Sequence, residues 1–120
     1  MEIAPLPLGR NFQLWEFCVS HKTLYWRSNK QDGVCHTRVN LLFKVVERIS
    51  LPTVFDCETL FVRQLAKGGF RFSLNSEDSP DFVDALVAYW LEDKLEYNEP
   101  VDVFSDQRHG WRLIAGNREG

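Results

Sequence analysis

Two cysteine-histidine pairs are the first places in this chain where residue type and spacing could do chemistry. Cys18 and His21 stand in a C-x2-H arrangement, and Cys35 and His36 are adjacent. A structural zinc site needs four donors converging on one ion. Neighbouring residues on an extended strand point to opposite faces, so Cys35 and His36 do not readily serve the same metal. No known structural zinc spacing is present, and the expectation is no metal and no cofactor. Cys35 beside His21, His36 or His109 is also the pair to consider for a thiol nucleophile, because a catalytic thiolate needs a base or a positive neighbourhood. No local signature accompanies it. The plainer reading is a core thiol at Cys18, a turn at His21 and a loop at Cys35-His36.

Carboxylates are more numerous. Asp78, Asp81, Asp84, Glu92, Asp93, Glu96, Glu99, Asp102 and Asp106 crowd one part of the chain, but nothing in their order singles out an acid and a base. There is no phosphate-cradling glycine loop, no nucleophile elbow and no HExxH. No catalytic residue is assigned, and the balance of motifs is against an enzyme.

The charge itself is the most unusual global feature. Residues 1–76 carry ten Lys and Arg against six Asp and Glu, whereas residues 77–106 carry one Lys against ten acids, within a net charge of −3. A surface that combines Glu92, Asp93, Glu96, Glu99 and Asp102 with Tyr89, Trp90 and Tyr97 could engage a basic protein partner through steering and aromatic anchors. The expected function is therefore a non-enzymatic interaction module, regulatory or toxin-neutralising, using an acidic C-terminal face. Two alternatives belong to other classes. One is an enzyme or small-ligand binder with a pocket between sheet and helix. The other is a single-stranded nucleic-acid binder, since Lys22, Arg27, Lys30, Arg38, Lys44, Arg48, Arg63, Lys67 and Arg71 interleave with Trp15, Tyr25 and Trp26. The acidic pI of about 5.6 weighs against nucleic acid. Alternation also offers a simpler account, with basic residues on the wet side of a sheet and aromatics on the dry side.

At 120 residues the chain is expected to form a single domain, spanning 1–120, large enough for a real core. Three cysteines make an odd set without a CxxC, which fits reduced thiols in the cytoplasm. No apolar run approaches the roughly 18 residues of a membrane span. The first residues, MEIAPLPLGR, lack the basic and apolar regions of a secretory signal.

The elements that must position these groups are mostly strands. The segment RVNLLFKVVERISLP, Arg38 to Pro52, reads with period two: Val39, Leu41, Phe43, Val45, Ile49 and Leu51 on one face, Asn40, Lys44, Arg48 and Ser50 on the other. Glu47 conflicts with that face, and a bulge near Val46 would remove the conflict. A helix also satisfies the spacing, but β-branched residues dominate and Pro52 closes the run. Upstream, Gln13 to Val19 and Thr23 to Ser28 form a hairpin with Trp15, Phe17 and Val19 facing the core. Asp32-Gly33 suits a tight turn that would set Trp26 opposite Val39 and Leu24 opposite Leu41, and also Arg27 opposite Arg38. Downstream, Thr53 to Thr59 reads as a connection, and Leu60 to Ala66 with Phe70 to Leu74 as a hairpin about Lys67-Gly68-Gly69.

Ser79-Pro80-Asp81 resembles a helix start, with serine as N-cap and proline where no donor is needed. It predicts a helix over about 80–91, although Val83, Ala85, Val87, Tyr89 and Leu91 also alternate as a strand would. Val101 to Phe104 and Trp111 to Ala115 read as further short strands. Residues 1–10 read as an extended arm and 116–120 as a frayed tail. The expected fold is α+β: a mainly antiparallel sheet or partly open barrel of five to seven strands with one helix.

Overall fold

A computed structural model of the chain describes residues 2–29, 36–94 and 111–116. It contains seven strands and, among the described residues, no helix: β1 (Glu2–Cys18), β2 (Thr23–Ser28), β3 (Arg38–Ser50), β4 (Val54–Gln64), β5 (Phe70–Leu74), β6 (Phe82–Asp93) and β7 (Arg112–Ala115). All pair antiparallel, in the order β3-β2-β1-β4-β5-β6-β7, and β3 pairs with β6 as well. Six strands therefore close into a barrel, β1-β2-β3-β6-β5-β4. Closure removes the free edges that an open sheet would expose.

Two long strands make the closure possible by changing partners along their length. β1 pairs with β4 through Gln13 and with β2 from Gln13 onward. β6 lies against β3 from end to end, while its other edge meets β5 at Phe82–Ala85 and β7 at Ala88–Trp90. The barrel is filled with rings. Trp26 packs 4.6 Å from Phe43 and 4.8 Å from Phe55, and Phe43 packs 5.1 Å from Phe72, centroid to centroid. Leu24, Leu41, Leu60 and Val83 complete the fully buried centre.

The helix expected over 80–91 is instead β6, and the reason is visible in its inward residues. Val83, Ala85, Ala88 and Trp90 belong to the barrel interior, whereas Val87 and Tyr89 pack outside it. The strand changes parity between Ala85 and Ala88, and a step of three among steps of two satisfies helical spacing as well as strand spacing. Pairing with β3 along the whole segment decides between them, as non-local contacts commonly override local preference. The serine signal is real but serves a bend: the Asp81 amide donates to Ser79 Oγ at 3.1 Å.

β3 spans the expected segment, but Val46 and not Val45 follows Phe43 into the core, and Glu47 is bulged out between Val46 and Arg48 in the ladder with β6. Its outer face differs from expectation. Arg38 and Asn40 are wholly buried, so the strand is dry on both sides over 38–43. The β2-β3 register slides by two residues from that expected, which preserves parity. Trp26 faces Leu41, Leu24 faces Phe43 and Phe17 faces Leu24. The slide sets Asn40 rather than Arg38 opposite Arg27, which removes a like-charge pair. The Asp32-Gly33 turn lies outside the described residues.

Three other segments depart from the sequence reading. The expected arm at 1–10 is, from Glu2, the first half of β1, hydrogen-bonded to β4 with irregularities at Ile3/Leu6 and Pro7/Arg10. A bulge at Trp15 gives Leu14 the inward place and turns Trp15, expected inside, toward the Tyr25 cluster on the outer face, while Phe17 and Val19, at and just past the end of the strand, are 44% and 76% exposed. Residues 54–59 belong to β4, whose parity shifts between Cys57 and Leu60. The side chain of Asn75 holds that kink, its Oδ1 accepting from the Glu58 and Thr59 amides at 2.7 and 3.3 Å. The β4-β5 hairpin turns over 65–69 as expected, with Leu65 N donating to Gly69 O at 2.9 Å.

Candidate functional site

The barrel is not equally filled at both ends. β5 leaves β6 at Ala85, β7 covers only Ala88 to Trp90, and no ladder joins β7 to the first half of β1 among the described residues. A cavity of about 490 Å³ opens between them, lined by Leu6, Leu8 and Arg10 of β1, Val39 of β3, Trp90 and Glu92 of β6, and Arg112 to Ile114 of β7. That volume lies within the range of roughly 300–1,000 Å³ usual for small-molecule sites, which often occupy barrel mouths. Leu6, Leu8, Val39, Trp90 and Ile114 also pack on the core, so the apolar wall continues the barrel interior.

The polar groups gather on the side of β3 and β6. A second recess of about 290 Å³, lined by Thr37, Asp93 and Lys94, shares Trp90, Glu92 and Arg112 with the first. Arg10 is fixed here by several acceptors: its Nε donates to Ser28 Oγ at 3.1 Å, Nη1 to Thr37 Oγ1 at 3.2 Å and Nη2 to the Thr37 carbonyl. Thr37 in turn donates to Glu92 Oε2, which lies 3.8 Å from Arg10 Nη1. Arg112 is placed differently. It lies over the Trp90 ring, 5.2 Å from the centroid, and has no carboxylate within ion-pair distance among the described residues. The Trp90 Nε1–H is buried without an acceptor among the described residues.

On the opposite face of the same strands a polar network is buried in the sheet. Asp93 receives Arg38 bidentately, at 3.0 Å through Nε and 3.0 Å through Nη2, and also the Asn40 amide at 2.8 Å. Asn40 Oδ1 accepts from Tyr25 and from Arg27 Nε, and Arg27 Nη2 donates to the Tyr25 hydroxyl at 2.8 Å. Arg27 stacks on Trp15 at 4.4 Å. Burial of Tyr25 disfavours its phenolate and raises its pKa. Of the three rings considered as a platform for single-stranded nucleic acid, Trp26 is buried in the barrel and Tyr25 in the outer cluster, whereas Trp15 is partly buried.

Of the eight residues expected to form an acidic partner surface, the four that are described are divided by strand alternation. Trp90 and Glu92 line the cavity; Tyr89 packs with Tyr25, Leu42 and Val87 on the outer face, and Asp93 serves Arg38. Glu96, Tyr97, Glu99 and Asp102 lie outside the described residues, as do Cys35 and His109. Asp84 is bound by Arg71, Nε to Oδ1 at 2.8 Å, which raises the arginine's pKa. Cys18, expected as a core thiol, is partly exposed at the end of β1, where a hydrogen bond with Ser20 Oγ at 3.4 Å lowers its pKa. Cys57 sits inside the barrel and burial pushes its thiol up to about 12. No group of three metal-binding side chains occurs among the described residues.

Arg10, Thr37 and Arg112 were not singled out by sequence. Arg10 stood in a segment read as an arm, and Arg112 in a four-residue strand whose partner is set by tertiary pairing. No helix among the described residues is long and apolar enough to cross a membrane. Comparison with protein-family models, with curated proteins and with solved structures finds no match to this chain.

Proposed function

We propose that this protein binds a small molecule in the mouth of its barrel. The observation that carries the reading is the cavity between β1 and β7, which joins an apolar wall to fixed charged groups. An added peptide strand fits the gap less well. Pro5 and Pro7 lack the amide hydrogens with which β1 would pair it. The lining residues described, apolar side chains with Arg10, Glu92 and Arg112, suit binding, which is the function proposed. The free thiols of Cys18 and Cys57 support a cytoplasmic setting.

The neutral dye N-phenyl-1-naphthylamine, which brightens on leaving water, tests this directly. The wild-type protein should bind it in saturable fashion, and Leu8→Trp and Ile114→Trp should each abolish most of the signal while melting cooperatively. Absence of saturable binding by the wild type, or binding untouched by both substitutions, would remove the reading.

A second proposal rests on the acid excess of residues 77–106: recognition of a basic protein partner, including Glu96, Glu99 and Asp102. Changing those three to Lys should abolish capture of the partner at low salt, and unchanged capture would end it.

A further inference from the structure

We infer that the ligand of this mouth is an amphipathic monocarboxylate, its carboxylate on Arg112 and its aliphatic chain between Leu6, Leu8, Val39 and Ile114. The inference rests on the small-molecule reading and adds the chemistry of the ligand. Three observations lead to it.

The two recesses differ in character but share a boundary. The larger is walled by aliphatic side chains of β1, β3 and β7; the smaller is lined by Thr37, Asp93 and Lys94; Trp90, Glu92 and Arg112 belong to both. A molecule that spans that boundary needs one apolar and one polar end.

The charge at the boundary favours an anion. Asp93 is already neutralised by Arg38, and Glu92 is satisfied by Thr37 and lies beside Arg10. Arg112 and Lys94 remain as cations facing the smaller recess with no carboxylate partner among the described residues. Arg10, committed to Ser28 and Thr37, anchors the wall and is poorly placed to turn toward a ligand. Arg112 is held against Trp90, which pre-orients its planar fork for two parallel bonds to a carboxylate.

The presence of Glu92 limits the charge that can enter. Its carboxylate lines both recesses and is 43% exposed, so it opposes a phosphate dianion about twice as strongly as a monocarboxylate, whose planar oxygens also match the Arg112 fork. An alcohol of the same chain length would occupy the apolar wall without using Arg112.

Competition against the bound naphthylamine dye separates these cases. Octanoate should displace the dye at roughly a tenth of the octanol concentration, as a charge-assisted bidentate contact allows. Octyl phosphate and octyltrimethylammonium should both be weaker than octanoate. In Arg112→Gln the ratio between octanoate and octanol should fall to about one. Equal displacement by octanoate and octanol in the wild type would overturn the inference, as would stronger displacement by octyl phosphate or a preference that survives Arg112→Gln. Each of those results leaves the mouth as a binding site of different specificity. Failure of the dye to bind at all would instead remove the site, and the inference with it.

Discussion

The two halves of β6 share one partner and differ in everything else. Both lie against β3, but the first half is sealed by β5, and its inward residues Val83 and Ala85 are buried among core residues including Phe72. The second half is covered by four-residue β7, and its inward residues Trp90 and Glu92 line a cavity. The change falls at Leu86. There two glycines of positive φ meet the strand: a Cβ on Gly69 would lie 3.1 Å from the Ala85 carbonyl oxygen, and one on Gly116 would lie 2.6 Å from that of Leu86. Opposite them on β3 stands Val45, at φ 55°. A single strand can thus build both a sealed core and an open site when its neighbouring strand is exchanged partway along, and the exchange is marked by unusual backbone.

The sharpest way to break the comparison is to truncate one large ring in each half. Phe72→Ala should destabilise the protein by about 3–5 kcal/mol, because a fully buried ring leaves a cavity that the closed barrel cannot collapse. Trp90→Ala, beside an existing cavity, should cost under about 2 kcal/mol in the same urea titration. Similar losses would mean that the mouth is packed as tightly as the sealed half.

The ion pairs that flank β6 give the next contrast. Asp93→Ala removes the bidentate carboxylate of Arg38, whose side chain has no exposure, and should cost about 3 kcal/mol. Asp84→Ala leaves Arg71, which is 26% exposed and can turn toward water, so about 1 kcal/mol is expected. Equal costs would show that Arg38 has an easy alternative to Asp93.

The glycines at the junction come next. Gly116→Ala forces a methyl group against the backbone of Leu86 and Val87 in addition to its φ of +110°, and should cost about 2 kcal/mol while reducing dye binding, because β7 is one wall of the mouth. Gly68→Ala has a similar φ of +102° with nothing within 4 Å, so the loss should be about 1 kcal/mol and binding should be retained. Thermal melts and dye titration on both variants check this. If Gly116→Ala binds as the wild type does, β7 is not the wall.

These features also explain what was legible in the residues. Strict alternation, as in Thr23–Ser28 and in Val39, Leu41 and Phe43, placed β2 and β3 correctly and set the inward face of the barrel. Parity changes were not legible. The flips at Trp15, at Val45, between Cys57 and Leu60, and around Leu86 convert alternation into mixed spacing, and each produced an error: a wrong face for Trp15, an inward place for Val45 that belongs to Val46, a connection in place of the start of β4, a helix in place of β6. Such flips are held by distant partners, for example Asn75 on β4, which no local pattern announces. The mouth suffered most. Trp90 and Glu92 were recognised as notable residues, but the cationic side comes from Arg10 and Arg112, a hundred residues apart in sequence and joined by the barrel's closure.

The smallest effect should have the opposite sign. Val45 is β-branched and sits in the left-handed region, where such a residue is strained by about 1–3 kcal/mol. The position is imposed from outside: the Val46 amide donates to the Lys22 carbonyl at 2.8 Å while Lys44 and Val46 keep their places opposite Val87 and Ala85. Val45→Gly relieves the strain, gives back about 0.5–1 kcal/mol through the entropy of the unfolded chain, and loses some partly buried methyl contact. A net gain of about 0.5–1 kcal/mol is expected in urea titration. Lys44→Gly, one residue earlier and without positive φ, should be destabilising and serves as the control. A Val45→Gly protein less stable than the wild type would mean that the bend at Leu86 is held by the valine side chain, and that the junction between the two halves of β6 is set by packing and not by backbone hydrogen bonding.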